Sequence, residues 1–483
     1  MDVKSSMRGG NLLPEVGSHA LRYRLESFEG SARPQGRWLL TADGPHSTQS
    51  KGKKIMLPET SSNSLSAFEA LESEVRSYSR SFPVVVAKAA GAILEDEEGC
   101  KFIDFLSGAG VLNYGHNDTD LLNGLIQYLQ SNGIVHGLDM ATSAKREFME
   151  RFDAILLRPR GLTYKFQFPG PTGANAVEAA LKLARKATGR NTVISFTNGF
   201  HGVSLGALAV TGNRYYRDAA GLPLVGVVFM PYDGYFGADQ DTSEYLDKVL
   251  SDASSGVDLP AAIILETVQG EGGINSASKE WLQSVERLCR KHGILLIVDD
   301  IQAGCGRTGS FFSFDFAGLS PDIIVLSKSL SGFGLPLSLL LLKPELDVWQ
   351  PGEHNGTFRG NNLALVTATA ALQKYWTDEK LSQGVLEKGR IISERLRQMA
   401  QNSRDHRLSV RGRGMMLGLD CGTGKLAGKI ARKAFEGGLI VERCGAEDQV
   451  IKLLPPLTID GETLRRGLDI LDRSVHQVSK MTS

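Results

Sequence analysis

The sequence lacks an excess of charge of either sign, a long apolar run and paired cysteines. Lys plus Arg and Asp plus Glu each number 54 in 483 residues, so no net field draws the chain to nucleic acid or to an anionic membrane. A membrane-spanning helix needs roughly 18 or more consecutive apolar residues. The longest candidate, Leu335–Leu342, is far shorter and carries Pro336 and Ser338, which reads as a buried strand. The five cysteines, at 100, 289, 305, 421 and 444, are odd in number and form no C-x-x-C pair. That excludes a disulfide framework and a cysteine-based metal site, and points to reduced thiols in a cytoplasmic protein. The first 62 residues have no apolar signal core, and their Arg and Lys are mixed with Glu15, Glu26, Glu29 and Asp43, unlike an acid-poor transit peptide. Their Gly, Ser and Pro content predicts a flexible extension.

What is present is an alternation of short apolar runs with helical patterns. The runs are Tyr164–Phe168, Thr192–Phe196, Val225–Met230, Ala261–Leu265, Ile294–Asp299, Ile323–Ser327 and Leu337–Leu342. Most are continuous, as expected of strands covered on both faces. Helical patterns lie between them at Ala174–Thr188, stopped by Gly189, and Lys279–His292, stopped by Gly293. The expected fold class is α/β, with a mainly parallel, doubly wound sheet of about seven strands in a large domain over 130–355. Two flanking pieces, 63–129 and 356–483, should combine into a smaller α+β domain. The first opens with a helical stretch, Leu65–Tyr78, followed by strand signals at Ala89–Glu95 and Lys101–Leu106; the second opens with a helix, Leu363–Trp376.

Open α/β sheets bind ligands at the carboxyl ends of their strands, and two ionisable residues fall there. Lys328 follows the run Ile323–Leu326, and Asp299 closes the run before it. A lysine desolvated at a strand end has a depressed pKa, as a Schiff-base nucleophile requires; the plainer alternative is a lysine reaching solvent. Asp299 suits a pyridinium nitrogen, or alternatively a helix cap or a cation. Between the first strand and its helix, Pro169-Gly170-Pro171-Thr172-Gly173-Ala174 offers free helix N–H groups to a phosphate, or is an ordinary N-cap. Gly304-Cys305-Gly306-Arg307-Thr308-Gly309 matches G-x-G-x-x-G, but no amphipathic helix follows, so a dinucleotide site is rejected.

Val298 to Gly309 resembles the signature of class-III aminotransferases, Ser327-Lys328-Ser329-Leu330 their Schiff-base segment, and Glu266 to Gly273 their E-P-x-Q-G-E-G-G strand end. Phe200-His201-Gly202 is similar to their aromatic-His-Gly segment, and Gly356-Thr357-Phe358-Arg359-Gly360-Asn361 to the loop whose Thr reaches the phosphate across a dimer interface. The likeness runs from about residue 65 almost to the end. It implies the fold-type-I architecture, pyridoxal 5′-phosphate as cofactor, no metal, and a homodimer or higher oligomer with shared active sites. It further implies Lys328 as the catalytic, cofactor-bearing lysine and Asp299 as partner of the ring nitrogen. Thr172, Gly173, Ala174 and Thr357 would hold the phosphate, Phe200 would stack on the ring, and Gln302 would bond its phenolic oxygen. Glu266 would buttress Asp299, and His201 would adjoin the cofactor.

Within the family, Leu71 to Tyr78, Arg80-Ser81-Phe82-Pro83, Asp104 to Gly110, Asn113 to Asn117 and Lys452 to Leu457 resemble the diaminobutyrate–2-oxoglutarate transaminase subgroup. Asp300 replaces the family's usual Glu, and Lys452 stands where ornithine-type enzymes place an Arg. The expected reaction passes an amino group from L-glutamate to L-aspartate 4-semialdehyde, with Glu271, Lys452 and Arg359 as candidate substrate contacts. Alternatives are a 4-aminobutyrate or ornithine transaminase, an aminomutase, or a non-catalytic cofactor-binding regulator.

Overall fold

The computed structural model describes residues 65–237, 239–403 and 408–481; the expected extension over 1–62 lies outside them. All seven apolar runs form strands of one sheet, in the order Lys165–Gln167, Leu339–Leu342, Ile323–Leu326, Leu295–Asp299, Ala262–Leu265, Val193–Phe196 and Val227–Met230. Leu339–Leu342 runs antiparallel to both neighbours, and every other pairing is parallel. Successive side chains point to opposite faces. Ile297, Ile323, Val325 and Leu340 therefore pack with the helix Gly173–Thr188, while Leu296, Val298, Ile324 and Leu326 meet Trp281 and Val285 of the helix Lys279–His292. Each such side chain contributes roughly 1.5–3 kcal/mol on burial, which is why the runs are continuous rather than alternating. Both helices end on left-handed glycines, Gly189 (φ 68°) and Gly293 (φ 59°).

The described parts of the two flanking pieces meet in a second region. The antiparallel strands Val86–Ala90, Ile93–Asp96 and Lys101–Asp104 continue in parallel into Leu439–Ile440. A further antiparallel sheet orders Ser409–Arg413, Met416–Asp420, Val450–Leu453 and Glu442–Cys444, over a core that includes Ile392, Leu396, Leu417, Ile451 and Leu468. The expected strand Ala89–Glu95 is instead a tight hairpin that turns at Gly91 (φ 56°). The expected helix Leu65–Tyr78 breaks into Ser66–Leu71 and Tyr78–Ser81, neither of which buries a side chain; helical patterning without a packing surface does not sustain a long helix. No described helix is long and apolar enough to cross a membrane.

Candidate active site

Asp299 ends its strand opposite Val325 of the neighbouring strand, and Lys328 lies three residues beyond Val325, so both are delivered to one carboxyl-end crevice. Asp299 is 4% exposed. Its Oδ2 lies 2.7 Å from His201 Nδ1, and its Oδ1 accepts the Ile301 amide at 3.1 Å. Burial opposes charge on His201, but the hydrogen bond and charge of Asp299 outweigh it and raise the imidazole above its ordinary pKa. Burial holds the Lys328 amine below the ordinary lysine value, against the pull of Glu271.

Lys328 also adopts a left-handed backbone (φ 49°), uncommon and costly for a residue with a side chain. The next residue fixes that turn. The Ser329 hydroxyl donates to Gly110 O at 2.7 Å and accepts the Asn113 amide at 3.2 Å. Asn113 is held in turn by the fully buried Arg307 guanidinium at 2.5 Å and by Cys305 O at 2.9 Å. The signature glycine run thus serves as a platform beneath the lysine turn, as its rejection as a dinucleotide loop allows.

Glu266 does not touch Asp299 through a hydrogen bond. Its two oxygens accept the amides of Phe200 (3.0 Å) and Gly270 (3.2 Å), so it orients the Phe200 segment, and burial raises its pKa to about 7. The Phe200 ring meets Tyr216 edge-on at 5.4 Å. Gly202 (φ +124°) lets this segment lie against the start of the helix Gly173–Thr188: a Cβ there would come within 2.9 Å of the Ala174 Cβ. At that helix start, Asn175 Oδ1 takes both the Thr172 amide (3.1 Å) and hydroxyl (2.9 Å), while the first amides of any helix lack intrahelical acceptors.

Gln302 donates from Nε2 to Ala109 O (2.9 Å) and Glu271 Oε1 (3.1 Å). Its Oε1 is buried without a hydrogen-bond partner and sits where a Cβ on Gly270 would be 1.7 Å away. Lys452 is fully buried, with Nζ 2.6 Å from Glu271 Oε1 and 2.9 Å from Glu442 Oε2. Burial tends to raise the Glu271 pKa, but the Lys452 and Lys328 charges bring it down to about 2. The Tyr78 hydroxyl donates to the other oxygen of Glu442. Tyr78, Phe200, Tyr216, Glu271 and Glu442 line a cleft of about 1440 Å³.

Thr357 and Arg359 lie elsewhere. Thr357 is exposed, and its carbonyl accepts from His136 Nε2 at 2.9 Å; Arg359 donates to Asn355. Around them Val135, Leu138, Met140 and Phe358 are 41–68% exposed. Sequence reasoning missed Tyr78, Glu442, Ser329 and Asn113. Tyr78, Ser329 and Asn113 lie inside segments that carry the family likeness, which by itself assigns them no role, and Glu442 directly follows the apolar run Leu439-Ile440-Val441.

The pyridoxal phosphate implied by the sequence finds suitable groups here. They are a depressed amine at Lys328, a buried carboxylate at Asp299, helix amides at Gly173 and Ala174, and the orphaned Gln302 Oε1, whose unmet bonding costs about 1–3 kcal/mol.

Comparison with known proteins agrees. Residues 75–475 match the family model described as "Aminotransferase class-III". The chain is 80% identical over 423 residues, 88% of its length and 94% of the relative's, to an uncharacterized aminotransferase of Sinorhizobium fredii. It is 60% identical over 412 residues to the diaminobutyrate–2-oxoglutarate transaminase of Bordetella parapertussis, covering 85% of this chain and 95% of that one. Among solved structures, the ornithine aminotransferase of Toxoplasma gondii superposes with a TM-score of 0.76 at 26% identity, covering 88% of this chain and 97% of the other.

Proposed function

The chain belongs to the class-III aminotransferase family, whose members depend on pyridoxal phosphate, and from that premise we propose that it passes an amino group reversibly between L-glutamate and L-aspartate 4-semialdehyde. The products in one direction are L-2,4-diaminobutyrate and 2-oxoglutarate. Glutamate carries a carboxylate on its reacting carbon and the semialdehyde only hydrogen, so one site must offer a cation to the first and hide it from the second. The ion pair of buried Lys452 with Glu271 at 2.6 Å is the observation that carries this reading: Glu271 masks the cation for the semialdehyde and yields it to glutamate. The names of the relatives at 52–60% identity support the same substrates.

When bound, the cofactor supplies an aldehyde carbon and a ring that withdraws electrons. Asp299, oriented by His201, would keep the ring nitrogen protonated. Lys328 would anchor the cofactor and, once displaced by the substrate amine, would move the proton at the substrate Cα. Phe200 would cover the ring face, Gln302 its phenolic side, and Thr172, Gly173 and Ala174 the phosphate. Thr357 would complete the phosphate site from a second copy of the chain. The exposed apolar Val135, Leu138, Met140 and Phe358 around it support a homodimer face there, reciprocal under two-fold symmetry.

The test is transamination by purified protein, with glutamate, 4-aminobutyrate and ornithine as donors and the semialdehyde as acceptor. Diaminobutyrate and 2-oxoglutarate should form in equal amounts with glutamate. A preference for another donor, or diaminobutyrate without 2-oxoglutarate, would overturn the substrate assignment and leave the family untouched.

A further inference from the structure

Lys452 sits mid-sheet on Val450–Leu453, with Gly418 as register partner on one side and Glu442 on the other. Gly418 offers no side chain, so the sheet itself sets Glu442 beside the ammonium, at 2.9 Å. Glu442 Oε2 lies within ion-pair reach but makes no aligned hydrogen bond, while its Oε1 is taken by the Tyr78 hydroxyl. With Glu271, two carboxylates face one ammonium.

The two acids are not equivalent. The Glu271 side chain is 23% exposed and is held by the side chains of Lys452 and Gln302. The Glu442 side chain is 7% exposed, fixed by strand pairing and by Tyr78. A substrate carboxylate entering from the cleft can displace Glu271 but not Glu442. It then meets a lysine whose charge is already matched, rather than a free cation.

We infer that Glu442 is a specificity-determining residue: pinned by Tyr78, it stays on Lys452 when Glu271 gives way, and so holds down the affinity for substrates bearing a carboxylate on the reacting carbon. This rests on the proposed role of the Lys452–Glu271 pair. It makes Tyr78 a positioning residue acting through Glu442.

The experiment uses the holoenzymes of wild type, Glu442→Gln, Glu442→Asp and Tyr78→Phe, with melting curves to show that each folds. The glutamate concentration giving half-maximal bleaching of the yellow form is compared with the KM for the semialdehyde. Glu442→Gln should lower the ratio of these two values about fivefold, the scale of one partly screened charge pair. Tyr78→Phe should lower it less, and Glu442→Asp should keep the wild-type ratio. An unchanged or raised ratio in both Glu442→Gln and Tyr78→Phe would overturn the inference. If another α-amino acid bleaches wild type and glutamate does not, the proposed substrate fails, and the same ratio taken with that amino acid decides the inference. If no α-amino acid bleaches it, both fall.

Discussion

His201 Nδ1 and Asp299 Oδ2 stand 2.7 Å apart, with both side chains almost fully buried. The pair leaves Asp299 one fixed orientation at the end of its strand, directed by a ring that is itself anchored: the His201 amide donates to Thr211 Oγ1 at 3.0 Å. A carboxylate so held is pre-organised for a protonated ring nitrogen. Asp299→Asn should therefore slow turnover by a few hundred-fold, about 3–4 kcal/mol of electrostatic stabilisation. Steady-state kcat measures it, and a loss under about tenfold would tell against the role.

Lys328 should be the one lysine through which the cofactor is attached. Borohydride reduction of the holoenzyme followed by peptide mass analysis should place the label on the peptide containing residue 328. Lys328→Ala should take no label and show no turnover while melting as a folded protein. A labelled peptide from elsewhere would refute the assignment.

Much of this arrangement is legible in the sequence, because the strands are short apolar runs whose carboxyl ends can be read to within one residue. Asp299 and Lys328 fall at strand ends by simple counting, and the helix at Gly173 announces itself by periodicity and by Gly189. What is not legible depends on contacts across the fold. Asn113 meets Ser329 and Arg307 from more than 190 residues away, and no local pattern announces such a meeting. Tyr78 reaches Glu442 across 364 residues. The broken helix at 66–81 shows the converse, a local pattern with no partner to pack against.

Asp300 is fully buried next to Asp299. Its Oδ2 accepts the Ser313 amide at 3.0 Å and its Oδ1 has no hydrogen-bond partner. Burial raises its pKa from 3.8 to about 7. For an acid with a raised folded pKa, the stabilising contribution is complete below the unfolded value and is lost as pH rises through the folded value. Asp300→Asn cannot ionise, so it should melt higher than wild type at pH 8, by an amount on the order of a few kcal/mol in stability. The gap should close as the pH approaches 4. A gap that is constant across this range would assign the effect to packing instead.

The left-handed turn at Lys328 depends on Ser329, whose hydroxyl links Gly110 O and the Asn113 amide. Ser329→Ala removes both bonds and leaves a carbonyl and an amide unpaired in a buried site, at about 1–3 kcal/mol for each buried group left unmet. Part of that loss should appear in the melting temperature. The rest should appear in catalysis, because the 107–113 segment also holds Gln302 through Ala109 O and the lysine loses its fixed backbone. A loss of about tenfold in kcat corresponds to only 1.4 kcal/mol of misplacement. Ser329→Thr keeps the hydroxyl and should recover much of the activity if the added methyl is accommodated. If Ser329→Ala lowers the melting temperature and leaves kcat at the wild-type value, the hydroxyl supports only the fold and the turn holds its geometry without it.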